Sequence, residues 1–305
     1  MILNHNFHLP VLLPQVIDGL RIKKGSKYID ATLGGGGYAF EIVRQGGIVL
    51  GVDADSASID FVKEKIKNQR IGTKLGKDIF LEHGNFANLK NIAKKYGFFN
   101  VAGIIFDLGM SSYQLMSGRR GFTFGKNEPL DMRMDKRQAL TAAEIINTYS
   151  IERLYEIFSK FAEELNSRPI AEAIFRARTL DGPIESTGQL VEIIDKTIRN
   201  DKYRTRVIAR VFQALRVTVN DEINKLREGL LEAIYLLASG SRLIVLSYHS
   251  LEDRVVKFTF REEQKKGILQ IITLRPIRAD LEEVKANPKA RSAKLRIAEK
   301  TYEQT

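Results

Sequence analysis

Three acidic residues close three apolar runs in this chain: Asp30 after Lys27-Tyr28-Ile29, Asp53 after Ile48-Val49-Leu50-Gly51-Val52, and Asp107 after Val101-Ala102-Gly103-Ile104-Ile105-Phe106. Between the first two runs lies an unbroken glycine turn, Gly34-Gly35-Gly36-Gly37, followed by Tyr38 and Ala39. Unpaired carboxylates are costly to bury, so three of them at strand ends around one turn point to a ligand site rather than to packing. Such strand ends are where open parallel sheets bind their ligands. Gly34 to Ala39 matches G-x-G-x-x-G/A, and Asp53 follows at a distance suited to gripping a ribose diol. That pattern alone admits an NAD-dependent oxidoreductase. Asp30 tilts the choice, because a carboxylate before the glycines would repel a pyrophosphate. S-adenosylmethionine carries no phosphate and offers an ammonium instead. The glycines let the backbone approach such a ligand without Cβ interference.

The elements that must position these residues alternate strand and helix. Helices are expected over Tyr38–Arg44, Ser56–Gln69 and Phe86–Lys95, with a further strand over Ile79–His83. Repeated units of this length imply a parallel sheet covered on both faces. The pattern breaks after Asp107, where Leu108–Asp135 reads as a long ordered loop, a type usually kept for function. Thr141–Asn200 is helical in character, interrupted at Pro169 and at Asp181-Gly182-Pro183. A helix over Arg206–Val217 carries Val207, Val211 and Phe212 on one face and Arg206 and Arg210 on another. The next helix, capped by Asn220 or Asp221, runs to near Gly240, and Arg242–Ser247 forms the fifth strand. Ile268–Leu274 and Lys294–Ala298 are expected to close the sheet as an antiparallel pair. The expected fold is α/β and Rossmann-like, with residues 1–112 and 206–305 forming the cofactor domain and 113–205 an inserted, mainly helical subdomain for substrate recognition.

The chain has 305 residues, no cysteine and a formal charge of +11. Absence of cysteine excludes thiolate nucleophiles, disulfides and Cys-based metal sites. The four histidines (5, 8, 83 and 249) form no ligand cluster beyond a loose His5/His8 pair, so no metal is expected. No apolar run is long enough to span a membrane, and Met1–Leu13 has no signal-peptide pattern, which fits a cytoplasmic location. The excess of cations favours a polyanionic partner. Between Arg275 and Lys300 there are eight Lys or Arg against four acids, in a turn-rich stretch that includes Lys289 and Arg291. No G-x-S-x-G elbow is present, which removes a serine hydrolase of that type.

Longer motifs carry a resemblance. His8–Leu13, Tyr28–Gly37, Asp107–Gln114, Arg120–Phe124, Pro129–Asp135, Phe212–Val217 and His249–Arg254 occur in the order seen in the RsmH (MraW) family of bacterial 16S rRNA cytosine-N4 methyltransferases, which the chain resembles nearly end to end. The resemblance implies a class I methyltransferase sheet, S-adenosylmethionine as cofactor, and cofactor contacts at Gly36, Gly37, Tyr38, Asp53, Phe86, Asp107 and Gln114. Two departures stand out. Tyr38 replaces the usual histidine, and Arg206–Arg210 replaces a segment that commonly carries His-Pro. The implied partner is 16S rRNA or the small ribosomal subunit, and a homodimer stays open. A non-catalytic RNA-binding assembly factor on the same fold is the alternative.

Methylating the exocyclic N4 of cytosine calls for an acceptor that draws on an N–H and takes up developing positive charge. Asp107, at the end of the fourth strand, is the candidate for that role, with cofactor contact alone as its rival. The target base must leave its stack to be reached. Arg120, Phe122 and Phe124 interleave cations with aromatics as base stacking beside a phosphate track requires, although the two phenylalanines equally suit anchoring the loop to the core. Arg133, Arg206, Arg210, Lys289 and Arg291 are the further RNA candidates. His249, at the rim of the fifth strand, is a substrate-side candidate. Ser250-Leu251-Glu252-Asp253 fits a helix capping box, which accounts for Ser250 without chemistry.

Overall fold

The computed structural model describes residues 10–68, 72–110, 119–198 and 203–302. The chain divides into two compact units, 1–112 with 223–305, and 113–222.

In the first unit, seven strands form one sheet: β1 (Lys27–Asp30), β2 (Ile48–Asp53), β3 (Ile79–His83), β4 (Val101–Asp107), β5 (Leu237–Ser247), β6 (Leu269–Ile271) and β7 (Lys294–Lys300). Their order is β3-β2-β1-β4-β5-β7-β6. The first five are parallel, and β7 runs antiparallel between β5 and β6. Both the α/β class and the closing antiparallel pair agree with the sequence reading. Strand residues alternate between the two faces, because successive side chains on a strand point to opposite sides. Ile29, Leu50, Ile104, Leu243 and Val245 face a core completed by helices α4 (Leu89–Tyr96), α10 (Glu222–Leu236) and α11 (Ser250–Lys265). Tyr28, Val49, Ile105, Ile244 and Leu246 face a second core with α1 (Leu13–Leu20), α2 (Gly37–Arg44) and α3 (Ser56–Asn68). Burial on both faces explains why these strands read as continuous apolar runs.

Several boundaries differ from expectation. Helix α1, which the sequence reading passed over, enters through Leu12 in the left-handed region with Pro14 in its first turn. Its last carbonyls meet Arg242, whose Nη1 donates to the Gly19 oxygen at 3.0 Å while Nε donates to Glu299 at 3.0 Å. The helix before β5 stops at Leu236, and the strand starts at Leu237 rather than Arg242.

The second unit contains α5 (Ala142–Thr148), α6 (Ile151–Ala162), α7 (Ser167–Leu180), α8 (Thr187–Thr197) and α9 (Arg204–Asn220). Pro169 lies in the first turn of α7, where a missing N–H is harmless, so it begins that helix rather than interrupting it. Helix α9, expected with the sheet domain from residue 206, packs instead on α6, α5 and α8. Its apolar face, Val207, Ile208, Val211, Phe212 and Leu215, completes the helical unit, which moves the boundary to residue 222. Among the described residues, no helix is long and apolar enough to cross a membrane.

Candidate active site

Strands β2, β1 and β4 are neighbours, and Asp53, Asp30 and Asp107 are their last residues. Sequence order reverses direction at β1, which opens a crevice at the carboxyl ends between β1 and β4. The three carboxylates gather there.

Asp30 is fully buried. Its Oδ1 accepts the Thr32 amide at 3.3 Å, and Oδ2 is buried without a partner among the described residues. Burial, opposed by the Thr32 amide and reinforced by the Asp107 and Asp53 charges, pushes its pKa up to about 7. Asp53 ties the end of β2 to the glycine turn: Oδ2 accepts the Gly34 amide at 2.8 Å and Oδ1 the Asp55 amide at 2.8 Å. Burial outweighs these amides and raises Asp53 to about 6. Asp107 is fixed at its backbone, where its amide donates to Thr32 Oγ1 at 2.6 Å. The Tyr248 hydroxyl donates to its Oδ1 at 2.5 Å. Burial raises Asp107 to about 6, against the lowering effects of that hydrogen bond and of the Lys289 charge.

Such a cluster suits a cationic ligand. An ammonium or sulfonium near Asp30, Asp53 and Asp107 relieves their mutual repulsion and gives the orphaned Asp30 Oδ2 a partner, whereas a pyrophosphate adds charge of the wrong sign.

The glycine turn serves a purpose the sequence reading did not name. A Cβ on Gly37 would lie 2.3 Å from Pro10 Cγ, and one on Gly36, at φ +76°, would lie 2.8 Å from Phe40. At these two positions the missing side chains admit protein. Tyr38 is buried, and its hydroxyl donates to the Val11 carbonyl at 2.6 Å. The residue that departs from the family pattern thus fastens the segment before α1 over the turn. Phe86 is half-buried, with its ring edge-on to Phe106 at 5.4 Å and packed against Gly229 of α10. Gln114 lies outside the described residues.

His249, not Ser250, caps α11. Its ring accepts the Glu252 amide and the Glu252 side chain reaches back to the His249 amide, so the capping box sits one residue earlier than expected. Glu252 Oε2 also accepts the Tyr248 amide at 2.8 Å. Tyr248 and Thr32 are the site residues that sequence reasoning missed; neither has a spacing signature, and Tyr248 adjoins the His249 motif.

The RNA candidates divide sharply. Arg120 is buried, with Nη1 donating to the Arg133 and Met134 carbonyls at 3.2 Å each and its guanidinium 5.0 Å from the buried Phe122 ring. Phe124 meets Phe212 edge-on at 5.7 Å. Arg120 and Phe122 are buried within the helical unit and Phe124 is half-buried against Phe212, which favours the anchoring role over base stacking. Arg133 is held by Asp131 through Nε at 2.8 Å and Nη2 at 2.9 Å. Arg210 pairs with the buried Glu164 at 2.9 Å. Lys289 turns inward, donating to the Met110 carbonyl at 3.2 Å. Arg206 and Arg291 are exposed, as are Arg275, Arg278 and Lys285.

The model of the MraW methylase family matches residues 5–301. The chain belongs to that family. Its members are S-adenosylmethionine-dependent methyltransferases, so S-adenosylmethionine is the cofactor and the nicotinamide reading falls. The chain is 41% identical to the ribosomal RNA small subunit methyltransferase H of Dehalococcoides mccartyi, over 97% of this chain and 87% of that one. It is 39% identical to the protein of the same name from Clostridium botulinum, over 96% of this chain and 98% of the relative. A solved rRNA methylase from Streptococcus thermophilus aligns over 97% of this chain and 99% of its own, at 10% identity and a TM-score of 0.47.

Proposed function

We propose that this member of the MraW methylase family methylates the exocyclic N4 of a cytidine in the decoding region of 16S rRNA, in the cytoplasm. The substrate class is supported by the names of relatives sharing about two-fifths of their residues with this chain. The observation that carries the chemistry is Asp107. Its Oδ1 accepts the Tyr248 hydroxyl at 2.5 Å, which leaves Oδ2 to meet the substrate.

The cofactor supplies an electrophilic methyl group when bound. With the cofactor bound, Asp53 would hold the ribose hydroxyls with its remaining lone pairs and Asp30 would face the ammonium, with Gly36, Gly37, Tyr38 and Phe86 shaping the wall beside them. Asp107 Oδ2 accepts an N–H from N4, which turns the nitrogen lone pair out of the ring system and toward the methyl. The amino nitrogen must shed one proton on becoming a secondary amine, and Asp107 takes it up. His249 contributes by holding the start of α11 beside this rim. RNA phosphates are met by Arg275, Arg278, Lys285 and Arg291 of the first unit, and by Arg206 of the helical unit, which serves substrate recognition.

The test supplies labelled S-adenosylmethionine with undermethylated small subunits and analyses the nucleosides for N4-methylcytidine. Label elsewhere, or none, overturns the substrate assignment. Asp107→Asn is expected to lower kcat by about 10²–10³ at saturating cofactor, the scale of losing one electrostatic stabiliser. Normal turnover would remove Asp107 from catalysis.

A further inference from the structure

Tyr248 follows directly on β5 and lies over Gly109, where a Cβ would come within 3.1 Å of its ring and the backbone sits at φ +125°. Glycine at that position lets the ring approach, and the Tyr248 hydroxyl then reaches Asp107 Oδ1 at 2.5 Å. Its backbone is held in turn, since the Tyr248 amide donates to Glu252, a buried residue of the α11 capping box. Lys289 is half-buried and donates to the carbonyl of Met110, three residues past Asp107, at 3.2 Å, and its positive charge lowers the Asp107 pKa. The Asp107 carboxylate is therefore held by one donor, Tyr248, in the field of a cation from a second segment, while its backbone is pinned to Thr32.

We propose that Tyr248 and Lys289 are positioning residues for methyl transfer: Tyr248 locks the Asp107 side chain with Oδ1 occupied and Oδ2 left for the incoming amino group, and Lys289, fixed on Met110, supplies a positive charge near it. This rests on the reading of Asp107 as the N4 acceptor. A carboxylate with both oxygens free rotates about its terminal torsion and offers either one. A carboxylate that must stay with Tyr248 offers one only, in one direction. Both groups also favour the ionised form that can accept an N–H. Among the described residues, the titratable groups whose fields reach Asp107 are Asp30 from β1, Tyr38 from α2, Tyr248, Glu252 from α11 and Lys289. Asp30 and Glu252 oppose its ionisation by like charge, and the Tyr38 hydroxyl is committed to Val11. Only Tyr248 and Lys289 in that set support the negative charge.

Tyr248→Phe keeps the ring over Gly109 and removes the donor. At near-neutral pH we expect kcat to fall by about tenfold, with KM for the small subunit and Kd for S-adenosylmethionine unchanged. The acid limb of the kcat profile should move up by about one pH unit. A carboxyl-carbon NMR titration of Asp107 in the protein alone reads the same displacement without turnover. Lys289→Met should raise the NMR midpoint likewise, and Lys289→Arg should restore it; this pair carries the test if Tyr248→Phe melts early. Wild-type midpoints and an unmoved acid limb in Tyr248→Phe and Lys289→Met would overturn the proposal. If the NMR midpoints move while Asp107→Asn turns over normally, the lock stands and the N4-acceptor reading fails.

Discussion

Replacing Asp30 with asparagine should make the protein more stable while damaging its site. Asp30 is fully buried, and its pKa rises from the ordinary 3.8 to about 7. A carboxyl whose folded pKa lies above its unfolded one binds protons more tightly when folded, so it destabilises the fold as pH rises through that window. Below about 4 there is no penalty; above about 7 it is complete. At about 1.4 kcal/mol for each tenfold change in proton affinity, the full penalty is about 4 kcal/mol at pH 8 and about 2 kcal/mol at pH 5. Asparagine cannot ionise, and its oxygen still accepts the Thr32 amide. Its buried NH2 group lacks the carboxylate's charge but needs an acceptor, which offsets part of the gain by a constant amount at every pH. The part that depends on pH, about 2–3 kcal/mol between pH 5 and 8, survives that offset. Urea unfolding of wild type and Asp30→Asn without cofactor, at both pH values, measures it. Equal differences at pH 5 and 8 would refute the assignment of a raised pKa to Asp30, whatever the absolute stabilities.

Two further outcomes follow from charges outside the crevice. Asp253 accepts Arg296 Nε at 2.6 Å and Lys294 at 3.5 Å, and Arg296 is buried, so Asp253→Ala leaves an uncompensated buried cation and should cost about 3–5 kcal/mol by urea denaturation; a loss below about 1 kcal/mol would show the pair to be solvated. Reversing Arg275 and Arg291 together should weaken binding to small-subunit rRNA and flatten its salt dependence by about one counterion per contact removed, measured by filter binding across a salt series. An unchanged slope would place the phosphate track elsewhere.

The sheet was legible because its central strands are buried on both faces and three of them end in acids, and that pattern survives without knowledge of contacts. The three carboxylates and the glycine turn stood out for the same reason. What the sequence hid was direction. Lys289 and Arg291 are two residues apart in one basic stretch, yet one turns in to Met110 and the other is exposed. Arg120 and Phe122 looked like an RNA platform because interleaved cations and aromatics suit a core contact as well as a stacked base. The apolar face of α9 says that the helix packs, not against what, so the sequence alone does not place it with the helical unit. The capping box slipped by one residue because a histidine ring nitrogen did the work usually given to serine.

The order of synthesis interacts with the order of the sheet. Strands β1 to β4 are complete once Asp107 has been made, but β5, the partner of β4, starts only at Leu237. At about 5–20 residues per second, translation needs roughly 10 s to bridge that interval. For that time the nascent chain carries β4, Val101 to Asp107 with its run of Ile104, Ile105 and Phe106, as an uncovered edge. Unpaired apolar edges invite pairing with other chains. The helical unit made in the meantime closes on itself, since Asn220 at its end bonds to Met132 and Met134 near its start, so what delays the second half of the sheet is a segment that forms its own compact unit.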